Sequence, residues 1–486
     1  MLEIQLCLQY GQYEIEGMKN MLGQVNKLLV AIDNAVWGIP LIVLILGVGI
    51  FLTIRMKCLQ MKHLPKALVY MFKNEEDGSG EVSSFGALCT ALSATIGTGN
   101  MVGVATALVT GGAGALFWMI VAAFFGMATK FAEGVLAIKY RVVKEDGHVL
   151  GGPFYYIENG MGKQWKWLGK IFAFFGACVG LMGIGTFTQV NGIASAVSGF
   201  FDPNKTHVVE LFGREYSWAV LITGIVLTLC VGAVVIGGIK RISSVAQVVV
   251  PFMAVTYIVI ALAVILLNIT SVPAAIVEIV QSAFGVRAVA GGALGSMMIA
   301  MQKGIARGIF SNEAGLGSAP IAAAAAQTNE CVRQGLVTMT GTFIDTIVIC
   351  TMTGLCIVLT GSHTIGLEGV AVTTHAFQTG LPINPQISAF LVMACLVFFA
   401  FTTILGWDYY GEKCLEYLTD GNLSAVKTYR WLYIAAVFIG PFMTVEAVWT
   451  IADIFNALMA IPNLIAILCL NKVIVDETAK YFQKIS

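Results

Sequence analysis

Eleven long apolar runs set the limits on what this chain of 486 residues can fold into. They lie at 28–54, 84–110, 113–138, 167–200, 215–237, 243–268, 280–308, 335–361, 386–406, 430–447 and 450–471. A helix needs about 20 apolar residues to cross a bilayer. In hydrocarbon, only closed barrels and helices satisfy their own backbone. The pattern therefore predicts an all-α polytopic membrane protein of about eleven transmembrane helices. Only 12% of the residues are charged, against about 25% in soluble proteins, so little chain remains for a soluble domain. The run at 280–308 is interrupted by glycine and ends in charge, and the last two runs are separated by few residues.

With the N-terminus outside, all but five of the 28 basic residues fall on the cytoplasmic side. The exceptions are Lys19, Lys27, Lys205, Arg214 and Arg287. Such an asymmetry predicts an N-out, C-in topology, with 1–27 as an extracellular segment and 472–486 as a cytoplasmic tail. Eleven spans divide into one extra helix at 28–54 and two sets of five, 84–268 and 280–471. Five is odd, so the second set is inverted relative to the first, a recurring build in secondary transporters. Each set is expected to open on a broken helix, at Gly97, Gly99 and Gly103 in the first and at Gly291, Gly292 and Gly295 in the second. The other reading of these glycines is close helix packing.

Residues 88–104 read LCTALSATIGTGNMVGV. Ser93, Thr95, Thr98 and Asn100 stand among three glycines in the middle of a span. A break here frees N–H groups of the second half, whose positive dipole end suits a carboxylate. It also frees carbonyls of the first half, which suit a small hard cation such as Na⁺. One interruption thus offers both halves of a site for a zwitterion and a cation.

The stretches GTGNMVGVATALVTGGAGALFWMIVAAFFGMATKFAEGVLAIKYR (97–141), GGPFYYIENGMG (151–162) and IARGIFSNEAGLGSAP (305–320) resemble the alanine or glycine:cation symporter family. The resemblance runs from about 30 to 470. It implies a LeuT-like fold with a five-plus-five inverted repeat, the helix at 28–54 being extra. It also implies Na⁺-coupled uptake of a small neutral amino acid, alanine or glycine, across a bacterial or archaeal plasma membrane. Carried over by motif, backbone around Thr95, Gly97, Thr98, Gly99 and Asn100 meets the substrate, with the Thr98 and Gly99 amides on its carboxylate. The carbonyls of Ser93 and Ile96 and the hydroxyls of Thr402 and Thr403 are implied to hold sodium. Read without the family, those two threonines bond back to their own helix.

Other polar residues in the spans carry two readings each. Gln189 is either glue between helices or a substrate contact, and the resemblance favours the second; Asn191, two positions on, is taken as structural. Trp407 is an interfacial anchor or a pocket wall. Asp345 is an acid well inside a span and functional by default. It can neutralise a cation, relay a proton, or pair with Lys303 or Arg307. Lys130 and Glu133 have the spacing to pair with each other. The segment GGPFYYIENG reads as interfacial, and SNEAGLGSAP as a cytoplasmic gate or a turn.

Several classes find no support. The five His lie outside the apolar runs and the Cys are scattered, so no metal centre is signalled. Lys+Arg and Asp+Glu balance at 28 each, which names no nucleic-acid partner. No HExxH, GxSxG or GxxxxGK[ST] motif occurs in the spans, which argues against an embedded enzyme or an ATPase. No organic cofactor is expected and a monomer suffices. The alternative within the transporter class is an H⁺-coupled symporter using Asp345.

Overall fold

The computed structural model describes residues 24–485 apart from 74, 76–77, 146, 205, 212–213, 286–291 and 443–445. Residues 1–23 with Lys19, and likewise Lys205, Arg287 and Gly291, lie outside the described residues. The rest is a helical polytopic membrane protein. Eight helices are long and apolar enough to span a membrane, or nine if one bent pair counts as a span.

In chain order the main helices are α1 (Gln24–Arg55), α2 (Ser84–Thr95), α3 (Val102–Gly111) and α4 (Gly114–Lys139). Then come α5 (Lys166–Met182), α6 (Phe187–Phe201), α7 (Trp218–Val235), α8 (Gly238–Leu267) and α9 (Val272–Ala283). The second half holds α10 (Ala293–Asn312), α11 (Ala319–Ala323), α12 (Cys331–Leu359), α13 (Val370–Gly380) and α14 (Pro385–Leu418). It closes with α15 (Leu423–Ile439), α16 (Glu446–Cys469) and α17 (Asn471–Ile485). Two short antiparallel hairpins, β1–β2 (Val142–Val143 with Val149–Leu150) and β3–β4 (Val208–Leu211 with Arg214–Ser217), join spans.

Helix α4 is the centre of the bundle. It is buried along most of its length and packs on α1, α10 and α12. Small residues make these approaches possible. A Cβ at Gly304 of α10 would sit 2.1 Å from the Ala115 carbonyl, and one at Gly335 of α12 would sit 2.8 Å from that of Phe131. Much of the glycine excess serves this packing.

The bent pair is α2 and α3, which meet at 60°. Ser83 caps α2, its hydroxyl accepting the Gly86 N–H at 3.0 Å, a cap worth about 1 kcal/mol. The helix stops at Ile96, which is extended, and a single 3₁₀ turn at Thr98–Asn100 leads into α3. The first break therefore falls at Ile96–Asn100, where the glycines place it.

Of the glycines expected to break the second span, Gly291 lies outside the described residues and Gly292 precedes the first residue of α10. Gly295 is inside the continuous helix α10, with open space at its Cβ position, so nothing there forces the backbone out of register. After Asn312 the chain leaves helical geometry again. Glu313 is left-handed (φ 56°), and Gly315 and Gly317 have φ of 89° and 80°. Three residues in this region of φ/ψ space end a helix firmly. The expected single span 280–308 is instead divided between α9 and α10, neither of which is both long and apolar enough to span by itself. The expected tail 472–486 contains the amphipathic helix α17, packed on α4 and α12.

Candidate functional site

The first break exposes backbone amides that a continuous helix would use internally. The Gly97 N–H, which would have bonded the Ser93 carbonyl, goes to Asn100 Oδ1 at 2.9 Å. The Thr98 N–H goes to Gln189 Oε1 of α6 at 3.1 Å. Gln189 is fixed in turn, since its Nε2 donates to the Ile184 carbonyl at 3.0 Å. Both amides thus meet a neutral carboxamide oxygen in a buried place.

On the other side of the break, Thr403 Oγ1 of α14 reaches the Ile96 carbonyl at 3.2 Å and its own Phe399 carbonyl at 3.0 Å. Thr402 Oγ1 bonds the Phe399 carbonyl at 3.0 Å and touches Met253 Sδ. Both threonines therefore back-bond, and Thr403 also faces the break. The Ser93 hydroxyl is held by the Thr90 carbonyl at 2.8 Å, and Thr95 Oγ1 bonds the carbonyls of Ala91 and Leu92. The fit is close. A Cβ on Gly97 would lie 2.5 Å from Thr403 Oγ1 and 3.0 Å from Gln189 Oε1, and one on Gly99 would lie 3.2 Å from Ser311 Cα.

Asp345 braces the two broken regions together. Its Oδ1 accepts from Asn100 Nδ2 at 2.6 Å, and its Oδ2 accepts from Ser311 at 2.9 Å and from Thr346 at 2.7 Å. It sits in a π-helical stretch, Phe343–Cys350, where the wider turn directs it towards the breaks. The expected pairing with Lys303 or Arg307 is not found, because those residues line a cavity with Asp33 and Asp453. Cys350 completes the cluster, 3.3 Å from both Asn100 Nδ2 and Ser311 Oγ.

The second break is stitched by a different set. Glu313 Oε1 accepts the Trp407 indole N–H at 2.9 Å, and its Oε2 is held by Ser318. Asn463 of α16 donates to the Gly315 carbonyl at 2.9 Å and to Glu133 at 2.7 Å, and receives the Tyr156 hydroxyl. Trp407 is entirely buried, so the interfacial-anchor reading is excluded. Glu133 bonds Asn463, and no Lys130–Glu133 ion pair occurs among the described residues. The segment GGPFYYIENG is no interfacial strip either. Phe154, Tyr156 and Ile157 are buried, and Phe154 stacks on Tyr417 with ring centroids 4.7 Å apart. Asn191 bonds the Gly440 carbonyl at 3.1 Å, the structural role expected of it.

One end of both broken helices is strapped. The Glu81 and Val82 amides bond the Ala325 carbonyl at 2.9 and 3.1 Å. The Arg141 guanidinium grips the carbonyls of Ser79, Ala324, Ala326 and Thr328 at 2.6–2.7 Å. His148, in the β1–β2 turn, lies between Glu416 (2.8 Å) and Glu81 (3.3 Å). These carboxylates, Glu416 first, push its pKa up to about 9.

The break is buried, with amides freed on one side and a hydroxyl on a freed carbonyl on the other. The sequence profile of the sodium:alanine symporter family matches residues 22–486. The chain belongs to this family. It is 47% identical over 463 residues to the sodium/alanine symporter AgcS of Methanococcus maripaludis, covering 94% of this chain and 97% of the relative. It is 53% identical to an uncharacterised transporter of Haemophilus influenzae, covering 95% and 97%. It is also 37% identical to the probable sodium/glutamine symporter GlnT of Bacillus subtilis, covering 96% and 91%. Membership makes the chain a multi-pass membrane transport protein. Ser311 and Cys350 contact Asp345 and Asn100, respectively, beside the first break, and Glu313 opens the second, although hydropathy singles out none of the three. The signal for Ser311 and Glu313 is the motif SNEAGLGSAP, which hydropathy places at the cytoplasmic edge.

Proposed function

We propose that the protein carries out Na⁺-coupled symport of alanine, and of glycine as a still smaller substrate, by alternating access around the first break. The observation that carries this reading is the handing of the Gly97 and Thr98 amides to neutral carboxamide oxygens beside a carbonyl already met by Thr403. The substrate carboxylate takes the Thr98 and Gly99 N–H groups in place of Gln189 Oε1, and Gln189 turns to the substrate. Thr95, Gly97 and Asn100 shape the floor of the pocket, and Trp407 walls it. Sodium is held by the Ser93 and Ile96 carbonyls with the Thr402 and Thr403 hydroxyls, which rotate their lone pairs away from back-bonding. The pocket suits a methyl or hydrogen side chain, since Gly97 and Gly192 leave no space against Thr403 and Thr98.

The ten core helices form a LeuT-like inverted repeat in this reading, with α1 as the extra helix and the α2–α3 and α10–α11 breaks as its matching openings. The chain sits N-out and C-in in a prokaryotic plasma membrane, and a monomer suffices for the mechanism. AgcS supports alanine and sodium as the transported pair through its 47% identity. Radiolabelled alanine uptake into proteoliposomes tests the reading. An inward Na⁺ gradient drives accumulation, and uptake that is the same without Na⁺ refutes it.

The H⁺-coupled alternative rests on Asp345, a buried carboxylate held by three side chains. The name of a Bacillus subtilis relative, 38% identical, describes a putative sodium/proton-dependent alanine carrier. Uptake that survives Na⁺ removal and collapses in Asp345→Asn favours this alternative.

A further inference from the structure

Asp408 stands apart from the site. It follows Trp407 on α14, is wholly buried, and neither carboxylate oxygen has a hydrogen-bond partner. A desolvated carboxylate with no donor is among the most costly arrangements in a protein, and inside a membrane an ionisable residue is a functional hypothesis by default.

Its surroundings are specific. Glu412 lies one turn along on the same face. Both of its oxygens are held by Arg430 of α15, at 2.5 Å from Nε and 2.8 Å from the terminal nitrogen. The tyrosines of α15 that feel its charge donate elsewhere. Tyr429 bonds the Ala177 carbonyl at 2.9 Å, and Tyr433 bonds those of Ile404 and Gly185 at 2.6 and 3.1 Å. The thiols Cys178 of α5 and Cys414 of α14 are near enough to Tyr429 to act on it electrostatically. Among the described residues, the charged neighbours of Asp408 are therefore Glu412 and Arg430. Arg430 is about a fifth exposed, so the cluster reaches the surface of the fold through it.

We propose that Asp408 is a proton-binding site, loaded from the Arg430 side. A proton needs no further oxygen ligands. A metal cation would want several, and only Glu412 is at hand to supply them. When Asp408 gives up its proton, the cation nearest to it is Arg430, which Glu412 already holds. Sharing that arginine moves α15 against α14, and α14 carries Thr402 and Thr403 little more than one turn away. Proton occupancy is thereby transmitted to the first break.

The test uses the full chain in lipid vesicles, with infrared difference spectra recorded between acid and alkaline pH. The wild type is expected to show the carbonyl band of a protonated carboxylic acid that titrates with pH, and Asp408→Asn and Asp408→Leu are expected to lose it. The apolar variant guards against misfolding caused by the Asn donor. Na⁺-driven alanine uptake provides a second arm, which rests on the transport reading. Uptake by the wild type is expected to change several-fold with pH on the Arg430 side, and uptake by the variants to stay level. Spectra unchanged in both variants overturn the proposal, whatever the uptake arm gives.

Discussion

The two breaks use opposite chemistry. At Ile96–Asn100 the freed backbone groups are met by neutral, exchangeable partners: a carboxamide from Gln189, another from Asn100 and a hydroxyl from Thr403. At Glu313–Ser318 the partners belong to a fixed lattice in which Glu313 is clamped by Trp407 and Ser318, and Asn463 ties Gly315 to Glu133. Neutral partners can be displaced by a zwitterion and a cation at little electrostatic cost. A clamped carboxylate in a left-handed turn resists displacement. The first break is suited to binding, the second to holding two half-helices at a fixed angle.

The largest expected effect comes from closing the first break. In Gly97→Ala the new methyl must displace Thr403 Oγ1 and Gln189 Oε1 together. Overpacking of this kind costs about 1–3 kcal/mol, or roughly ten- to hundredfold in affinity. Alanine binding should fall by about that factor, and by more than the melting temperature reflects. Equal losses of binding and stability would mean that the first break is as structural as the second.

Glu313→Ala should give the mirror image. It leaves the buried Trp407 N–H without its acceptor, a penalty of about 1–3 kcal/mol. The melting temperature should fall clearly while the folded fraction binds alanine nearly as before, and Glu313→Gln, which keeps an acceptor, should recover most of the loss. A binding defect without instability would move Glu313 into the binding site and erase the contrast.

Thr403→Ala probes the cation half of the first break. Loss of one oxygen contact, worth about 1 kcal/mol, should raise the apparent Na⁺ constant several-fold and the alanine constant less. The reverse order would remove Thr403 from the sodium site.

The smallest effect concerns the strap that joins one end of both breaks. His148 has its pKa raised from 6.5 to about 9 by its carboxylate neighbours. A raised folded-state value contributes stability that is full below about 6.5 and is lost as pH climbs through 9. Thermal stability should therefore decline across that window, and His148→Gln should flatten the decline. A wild-type melting temperature that does not fall between about pH 6.5 and 9.5 would show that the histidine adds nothing to the strap.

Much of this architecture is legible in the amino-acid sequence. Among the described residues, nine of the eleven expected apolar runs coincide with a helix or bent pair long and apolar enough to span, because hydrocarbon demands length and hydropathy, while 280–308 and 430–447 do not. The first break is legible too, because small and polar residues crowd 93–100 in a place where packing alone favours Leu and Ala. The turn after α10 lies beyond the glycines of the run 280–308. Gly295 sits inside α10 with open space around it, whereas Glu313, a residue with no glycine-like signature, opens the left-handed turn that Gly315 and Gly317 continue. Hydropathy ends helix α14 at 406 because it reads Asp408, Glu412, Lys413 and Glu416 as solvated. The fold buries all four, and satisfies Glu412, Lys413 and Glu416 through Arg430, His148 and Val149. Trp407 is ambiguous in sequence for the same reason, since its depth depends on where α14 ends.

The central claim is that sodium and substrate share the first break. Titrating the purified protein with Na⁺ at several alanine concentrations, and with alanine at several Na⁺ concentrations, tests it most directly. Two ligands on one interrupted helix must strengthen each other by the same factor in both directions, and Gly97→Ala should abolish that coupling. Alanine binding that is indifferent to Na⁺ would contradict the account.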